Sequence, residues 1–547
     1  MGNIRRLARI APFGVALLTA WGVHAQSFRV QCPTSTTLHA GDTTLPYTGP
    51  STVTKTFTRA DGSSYQVAYV SNGGGIKCQQ VSGGDGFATM GDGHPTYLFG
   101  FGPLSGLADL AKGMPATQTA SAFNVSNLAH LGAVYIGAPI DQASQALDPG
   151  YTFNGAIGLV PDVEANNGSG PVGAALTGHV DPRLIMDVGV MNANQPAPLM
   201  AIDEDDEFFL TLTNVGMIMR PDLFEQHTIH FHGYPNASSF YDGVPDASVA
   251  VSIGASFSYY YLAPDAGTYF WHCHISPPEH LQMGMVGQLY VRPRQNRVPG
   301  GASLYHSLLL QQGDPRTRCG TDVLCSTPLP AADSGATHAN NKSGAPTYYA
   351  YNDGDGSTAY DVEYPIQIHG FDPNFHFVGM TFNPESFEDM KDKYFMLNGR
   401  SYPDTVQPGT MTTQSTDGTL HASQPLPTVI NIPVGGRALL RISDLDVTEY
   451  QTLASLGIPM RVIGLNARLL RDMAGNNMAY STNSISLAGG ESIDVILDAT
   501  SGYTAGQKFY LYTPNLDHLA NDAENFGGLM TEINICNAVD PTTKACS

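Results

Sequence analysis

Two short clusters in this 547-residue chain carry side chains that bind soft and borderline metal ions. The first is His227-Thr228-Ile229-His230-Phe231-His232-Gly233, and the second is His272-Cys273-His274, followed by His280 and Met285. A thiolate, imidazoles and a thioether together favour copper, and two His, one Cys and a long axial Met describe a blue-copper electron-transfer site. Zinc is the main rival, but zinc sites have no use for a thioether. A structural cysteine among ordinary histidines would explain each residue singly, but not the combination.

Strand parity sorts these residues. Successive side chains on a strand point to opposite faces. Cys273 therefore faces one way while His272 and His274 face the other. His230 and His232 share a face, and His227, at an odd offset, falls on the opposite one. Two groups follow. His227, Cys273, His280 and Met285 form the first, and His230, His232, His272 and His274 project towards a second. The covalent path from Cys273 into both neighbouring histidines would couple the two electronically.

The elements that must position them read as β-strands. Phe208–Asn214, the alternating Phe257, Tyr259 and Tyr261, Thr268–Cys273 and Val286–Val291 are separated by Gly- and Pro-containing turns, the pattern of an antiparallel sandwich. Residues 181–295 are expected to form the metal-binding domain. A second β-rich block spans 391–537, with strands near 429–432, 438–442 and 508–512. Residues 26–180 read as an N-terminal extension of unknown role, 296–390 as a polar connection, and 538–547 as a C-terminal tail. Abundant Gly (59), Pro (37), Tyr (26) and Phe (23) favour an all-β chain, and only 14% of residues are charged. The net charge of −22 excludes a nucleic-acid partner, which needs a basic face. The acidic run Asp203 to Glu207 reads as a solvated strand edge. Asp353-Gly354-Asp355-Gly356 reads as a turn, because Thr358 occupies the position where an EF-hand loop needs glycine.

Arg5, Arg6 and Arg9 precede the apolar stretch Ile10 to Val23, so residues 1–25 are expected to be a signal peptide cleaved after Ala25. No other segment is apolar enough to span a membrane, and the mature protein is expected in the periplasm or outside the cell. Seven cysteines suit an exported chain. The simplest pairing is Cys32 with Cys78, Cys319 with Cys325 and Cys536 with Cys546, which leaves Cys273 over.

The pattern His-x-x-His-x-His-Gly with a later His-Cys-His, His and Met resembles the copper-binding domain of the multicopper oxidases. Leu397-Asn398-Gly399-Arg400 and Met460-Arg461-Val462-Ile463-Gly464 resemble the copper-free cupredoxin domain of the same family, and together these resemblances cover about half of the chain. The resemblance implies cupredoxin-like Greek-key β-sandwiches. It makes His227, Cys273 and His280 type 1 copper ligands with Met285 axial, assigns His230 to a type 2 copper, and assigns His232, His272 and His274 to a type 3 pair. It further implies that a small-molecule, metal-ion or redox-protein donor gives single electrons to the type 1 copper. Cys273, His272 and His274 would pass them to a histidine-bound copper centre that reduces dioxygen.

Two departures stand out. Ser276-Pro277-Pro278-Glu279 lengthens the loop between Cys273 and His280 relative to the family. The family's trinuclear cluster also draws on eight histidines, and this chain has no second His-x-His-Gly and no third His-x-His. Other histidines would complete it, His369 and His376 being best placed with His94, His130 and His179 behind them; or a second subunit of a homo-oligomer would; or the centre holds fewer coppers. The other readings are a copper electron-transfer or carrier protein using the type 1 site alone, and a nitrite-reductase-like enzyme. The latter would use His232 and His272, but it needs an aspartate where His230 stands.

Overall fold

The computed structural model describes residues 30–125, 151–161, 176–234, 238–263, 265–313, 328–341, 344–379, 386–415, 418 and 420–547. The expected signal peptide, the Cys319–Cys325 pair and His130 lie outside them. The described chain is all-β, built as two blocks that each bury their own core.

A hairpin, β1 (Ser51–Thr58) and β2 (Ser64–Ser71), precedes the first block. The block itself contains β3 (Ile76–Thr89), β4 (Pro95–Pro103), β5 (Met200–Asp203), β6 (Glu207–Gly216), β7 (His230–His232), β8 (Ser256–Leu262), β9 (Gly267–His272), α1 (Pro277–Met283) and β10 (Val286–Arg292). One sheet runs β8-β6-β3-β4 and the other β7-β9-β10-β5. Their inner faces supply Val81, Phe99, Phe101, Leu210, Leu212, Phe231, Tyr259, Trp271 and Leu289 to a shared core that also contains Cys273 and Met285. Parallel pairing of β3 with β6 and of β5 with β10 joins stretches far apart in sequence.

The boundary expected at residue 181 runs through this sandwich. β3 and β4 come from the supposed extension, and β3 is the inner neighbour of β6. Their sequence hid them: Cys78-Gln79-Gln80-Val81-Ser82-Gly83-Gly84-Asp85-Gly86 shows no apolar–polar alternation, because the strand is buried on both faces.

The second block contains β11 (Val362–Phe371), β12 (Tyr394–Leu397), β13 (Ile430–Pro433), β14 (Arg437–Asp444), β15 (Gln451–Leu456), β16 (Met460–Leu465), β17 (Ser484–Leu487), β18 (Glu491–Asp498), β19 (Lys508–Tyr512) and β20 (Met530–Cys536). One sheet has the central order β16-β18-β14-β11-β12, and the facing sheet runs β13-β20-β19-β15-β17. β11 lies inside the stretch expected to be a connection, so the block begins well before residue 391. Pro365 lies within β11, yet the parallel register with β14 is continuous from Val362 to Ile368. The pairs Cys32–Cys78 and Cys536–Cys546 are formed, the latter tying down the C-terminal tail.

Polar side chains fasten the blocks together. The Thr268 hydroxyl on β9 donates to Asp494 Oδ1 on β18 at 2.6 Å, and the Gln288 amide on β10 donates to Ser443 Oγ at 2.9 Å. Arg292 and Arg441 both bond Glu363. The acidic run is not a solvated edge: Glu204, Asp205, Asp206 and Glu207 are buried. Arg294 binds both oxygens of Asp205 at 2.7 Å, Arg297 adds a third bond to that carboxylate, and His39 contacts Glu207 at 2.7 Å. The cations that neutralise the run are distant in sequence, so its local reading failed. Asp353 does close a turn, accepting from the N–H groups of Asp355, Gly356 and Thr358.

Candidate metal centre

β7 and β9 pair antiparallel with His230 opposite His272, Phe231 opposite Trp271 and His232 opposite Phe270. This register places His230, His232 and His272 at one end of one sheet. Cys273 follows the last residue of β9, where its N–H donates to Met285 O at 3.1 Å. His227 precedes β7 and forms an isolated bridge with Val251.

Two donor groups result. In the first, the ligating atoms of His227, Cys273 and His280 lie within 4.8 Å of one another, and all three residues are buried. His280 Nδ1 is 3.3 Å from Cys273 Sγ, which also accepts from the Thr228 N–H at 3.4 Å. Met285 is buried in the same core. Burial opposes a charge on Cys273, but His280 and His227 outweigh it and hold the thiol well below its ordinary range. Burial likewise opposes a charge on His280, and the Cys273 sulfur with Glu225 reverses this, pushing its pKa up to about 10. The neighbouring histidines thus favour the thiolate, which is the ligating form of cysteine.

The second group brings His230, His232 and His272 to within 4.8 Å. The His274 ring adjoins them, with its centroid 5.1 Å from that of His230. Burial holds the pKa values of His230 and His232 down and that of His272 at about 3, which favours the neutral imidazole, the form that binds a cation. His230 Nδ1 donates to Asp242 O at 2.7 Å and His272 Nδ1 to Cys273 O at 2.8 Å, which directs both Nε2 lone pairs inward.

Six of the eight predicted residues are brought together in two triads, with the His274 ring beside the second and Met285 in the core that holds the first. The segment Ser276–Glu279 is not simply a longer loop. Ser276 has φ 36°, Pro277 and Pro278 open α1, and this helix carries His280 into the core. Neither His369 nor His376 joins the second group. His369 Nε2 meets Gln282 O at 3.3 Å, and His376 stands between Gln282 O at 2.9 Å and Tyr97 O at 2.5 Å. His94 is at the surface beside Asp92, and the side chain of His179 lies outside the described residues.

Sequence reasoning missed several residues that shape the site. Phe99 of β4 meets the His280 ring edge-on at 5.3 Å. Gly83 of β3 lets the strand approach His227 closely; a Cβ there would lie 2.9 Å from the ring. Glu225 Oε2 stands 3.7 Å from His280 Nε2 at the outer rim. Glu225 was open to discovery from its place two residues before His227; the two β3–β4 residues carried no signal.

Copper fits these donors. Cys273 is a free, buried thiol, and neither ring nitrogen of His227 has a hydrogen-bond partner of ordinary geometry. An unpaired buried imidazole is costly unless another ligand completes it. The thiolate, two imidazoles and a nearby thioether are a copper set, while the second, purely imidazole group suits a borderline ion.

Residues 178–296 match the family model described as multicopper oxidase. Laccase abr2 of Aspergillus fumigatus is 32% identical over 109 residues, 20% of this chain and 17% of that protein. Multicopper oxidase MmcO of Mycobacterium tuberculosis is 26% identical over 172 residues, 30% of this chain and 32% of that protein. The crystal structure of the blue copper oxidase from Nitrosomonas europaea aligns with TM-score 0.41 at 20% identity, covering 62% of this chain and 77% of that one. The matched stretch spans less than a third of either curated relative. Its bounds enclose both donor groups, from β5 to the end of β10. Over residues 178–296, which hold both donor groups, the chain is similar to the multicopper oxidases.

Proposed function

We propose that the protein is an exported, copper-dependent oxidoreductase that takes single electrons from a reductant at the His227–Cys273–His280 group and reduces dioxygen at the four-histidine group. The observation that carries this reading is the shared strand end: Cys273 belongs to one donor group, and its sequence neighbours His272 and His274 belong to the other. His227, Cys273 and His280 would hold a type 1 copper with Met285 axial, and His230, His232, His272 and His274 would hold the second centre. Bound copper would supply one-electron redox chemistry at the first group and dioxygen chemistry at the second.

The chain's own residues do the rest. Burial of Cys273 and His280 keeps water from the thiolate, and the core around them fixes the donor positions before metal arrives. The backbone of β9 sets the separation of the two groups. Glu225, beside His280 Nε2, marks the side from which a small-molecule, metal-ion or protein donor approaches. No described helix is long and apolar enough to cross a membrane.

The test is oxygen uptake by copper-reconstituted protein with phenolic, metal-ion and protein reductants, compared with Cys273→Ser. Uptake that disappears in a folded Cys273→Ser variant supports the reading, and undiminished uptake refutes it. The second reading, an electron-transfer protein, is favoured by the four histidines that make up the second group among the described residues. It predicts a blue protein that consumes no oxygen with any of these donors. Nitric oxide formed from nitrite would instead identify a nitrite reductase.

A further inference from the structure

Gln282 lies in α1, between His280 and Met285, and is fully buried. Its side chain points away from the metal group into the second block, where its amide donates to Asp392 Oδ1 at 2.7 Å. Its carbonyl meets His369 Nε2 at 3.3 Å. The short segment that delivers two of the four proposed type 1 ligands is thus gripped at its midpoint by residues from elsewhere in the chain.

Asp392 is itself held firmly. Its Oδ2 accepts from the Thr448 hydroxyl. Asp446 lies alongside, fixed by the N–H groups of Thr448 and Glu449 at 2.9 and 3.1 Å and by the Gln451 amide at 2.6 Å. Both carboxylates press on Gly370 of β11: a Cβ there would sit 2.1 Å from Asp392 Oδ2 and 2.5 Å from Asp446 Oδ2. Among the described residues neither makes an ion pair, and both are buried. Burial and Asp446 raise the pKa of Asp392. The pair is a rigid anchor.

We propose that Asp392 is a positioning residue for the type 1 site: by holding the Gln282 amide it sets the placement of His280 and Met285 about Cys273. This rests on the type 1 reading above. The chemistry separates two substitutions. Asp392→Asn keeps an oxygen for Gln282 and places an N–H beside Asp446. Asp392→Leu keeps the bulk but leaves the Gln282 amide buried and unpaired, a loss that α1 can relieve only by moving.

The experiment uses full-length mature protein reconstituted with copper. It records the thiolate-to-copper absorption band, the reduction potential and the rate of copper loss to a chelator. Asp392→Leu is expected to shift the band and the potential and to speed copper loss by about 10–100-fold, the usual cost of losing a residue that orients a metal ligand. Asp392→Asn is expected to restore all three. Gln282→Met cuts the same contact from the other side and serves if Asp392→Leu fails to fold; it is expected to behave like Asp392→Leu. Wild-type values in Asp392→Leu or Gln282→Met, or an Asp392→Asn variant as perturbed as Asp392→Leu, would overturn the proposal. Absence of the band from the wild-type protein would instead overturn the type 1 reading itself.

Discussion

Replacing Gly83 by alanine tests whether the N-terminal strands belong to the metal site. The added Cβ would lie 2.9 Å from His227 Cδ2 and 3.3 Å from Cγ, with Leu212 Cδ1 at 3.4 Å on another side. An ordinary carbon–carbon contact is about 3.5 Å, so the imidazole must retreat by about 0.6 Å. β3 is clamped between β4 and β6 and cannot yield easily, whereas neither ring nitrogen of His227 has a hydrogen-bond partner of ordinary geometry. The ring therefore moves, and overpacking of this kind costs about 1–3 kcal/mol. Spent on the ligand, that corresponds to copper binding weaker by about 5- to 150-fold. Chelator competition measures the affinity, the thiolate-to-copper band reports the altered ligand, and melting of the copper-free protein shows whether the cost falls elsewhere. Affinity within about twofold of wild type with an unmoved band would refute the argument, because steric pressure on His227 would then have no effect on the metal.

Other consequences follow from the same geometry. Phe99→Ala removes the ring that covers His280, at a cost of about 3–5 kcal/mol, and is expected to speed copper loss to a chelator; an unchanged rate would show that Phe99 does not guard the site. His232→Ala combined with His272→Ala is expected to lower the copper content and abolish oxygen uptake while sparing the thiolate-to-copper band, and loss of the band would show that the two groups are not separable. Burial raises the pKa of Glu363, but Arg292 and Arg441 outweigh it and hold the carboxyl at about 2. That charge contributes about 3 kcal/mol above pH 4.5, lost as pH falls towards 2. Glu363→Gln should therefore flatten the acid limb of the stability profile and lower stability at neutral pH, and parallel profiles for the two proteins would contradict this.

The donor residues were legible because their chemistry is rare and local. His-Cys-His fixes opposite parities within three residues, and the β7–β9 register only had to bring His230 beside His272 for two groups to appear. What surrounds the donors was not legible. β3 has no alternating pattern because both its faces are covered, so the strand behind His227 read as featureless. His369 and His376 looked like spare ligands because sequence shows residue type and not the direction of a ring; both instead face the Gln282 carbonyl. The acidic run misled for the converse reason, since Arg294 and Arg297 are invisible from its own neighbourhood.

The second donor group sets a limit on how much copper one chain can hold with the residues described. His39 is committed to Glu207, His306 to Asp333, His338 to two backbone carbonyls, and His518 to Gln451 and Glu449. His369 and His376 are committed to Gln282. Where the second block meets His232 it presents Gly490, whose added Cβ would lie 3.8 Å from the ring and which has no side-chain donor of its own. Four imidazoles with three of their ligating atoms within 4.8 Å suit one ion. Together with the Cys273 group, the described residues account for about two coppers per chain. A larger centre needs donors from beyond them, and a second copy of the chain is one source that mass can reveal. Copper is therefore best counted in fractions separated by size. About two per chain in a monomeric fraction, rising only in an assembly that His230→Ala dissociates, would place the missing donors on the partner. About four per chain in a monomeric fraction would refute the count, because ligands from outside the described residues would then complete the centre within one molecule.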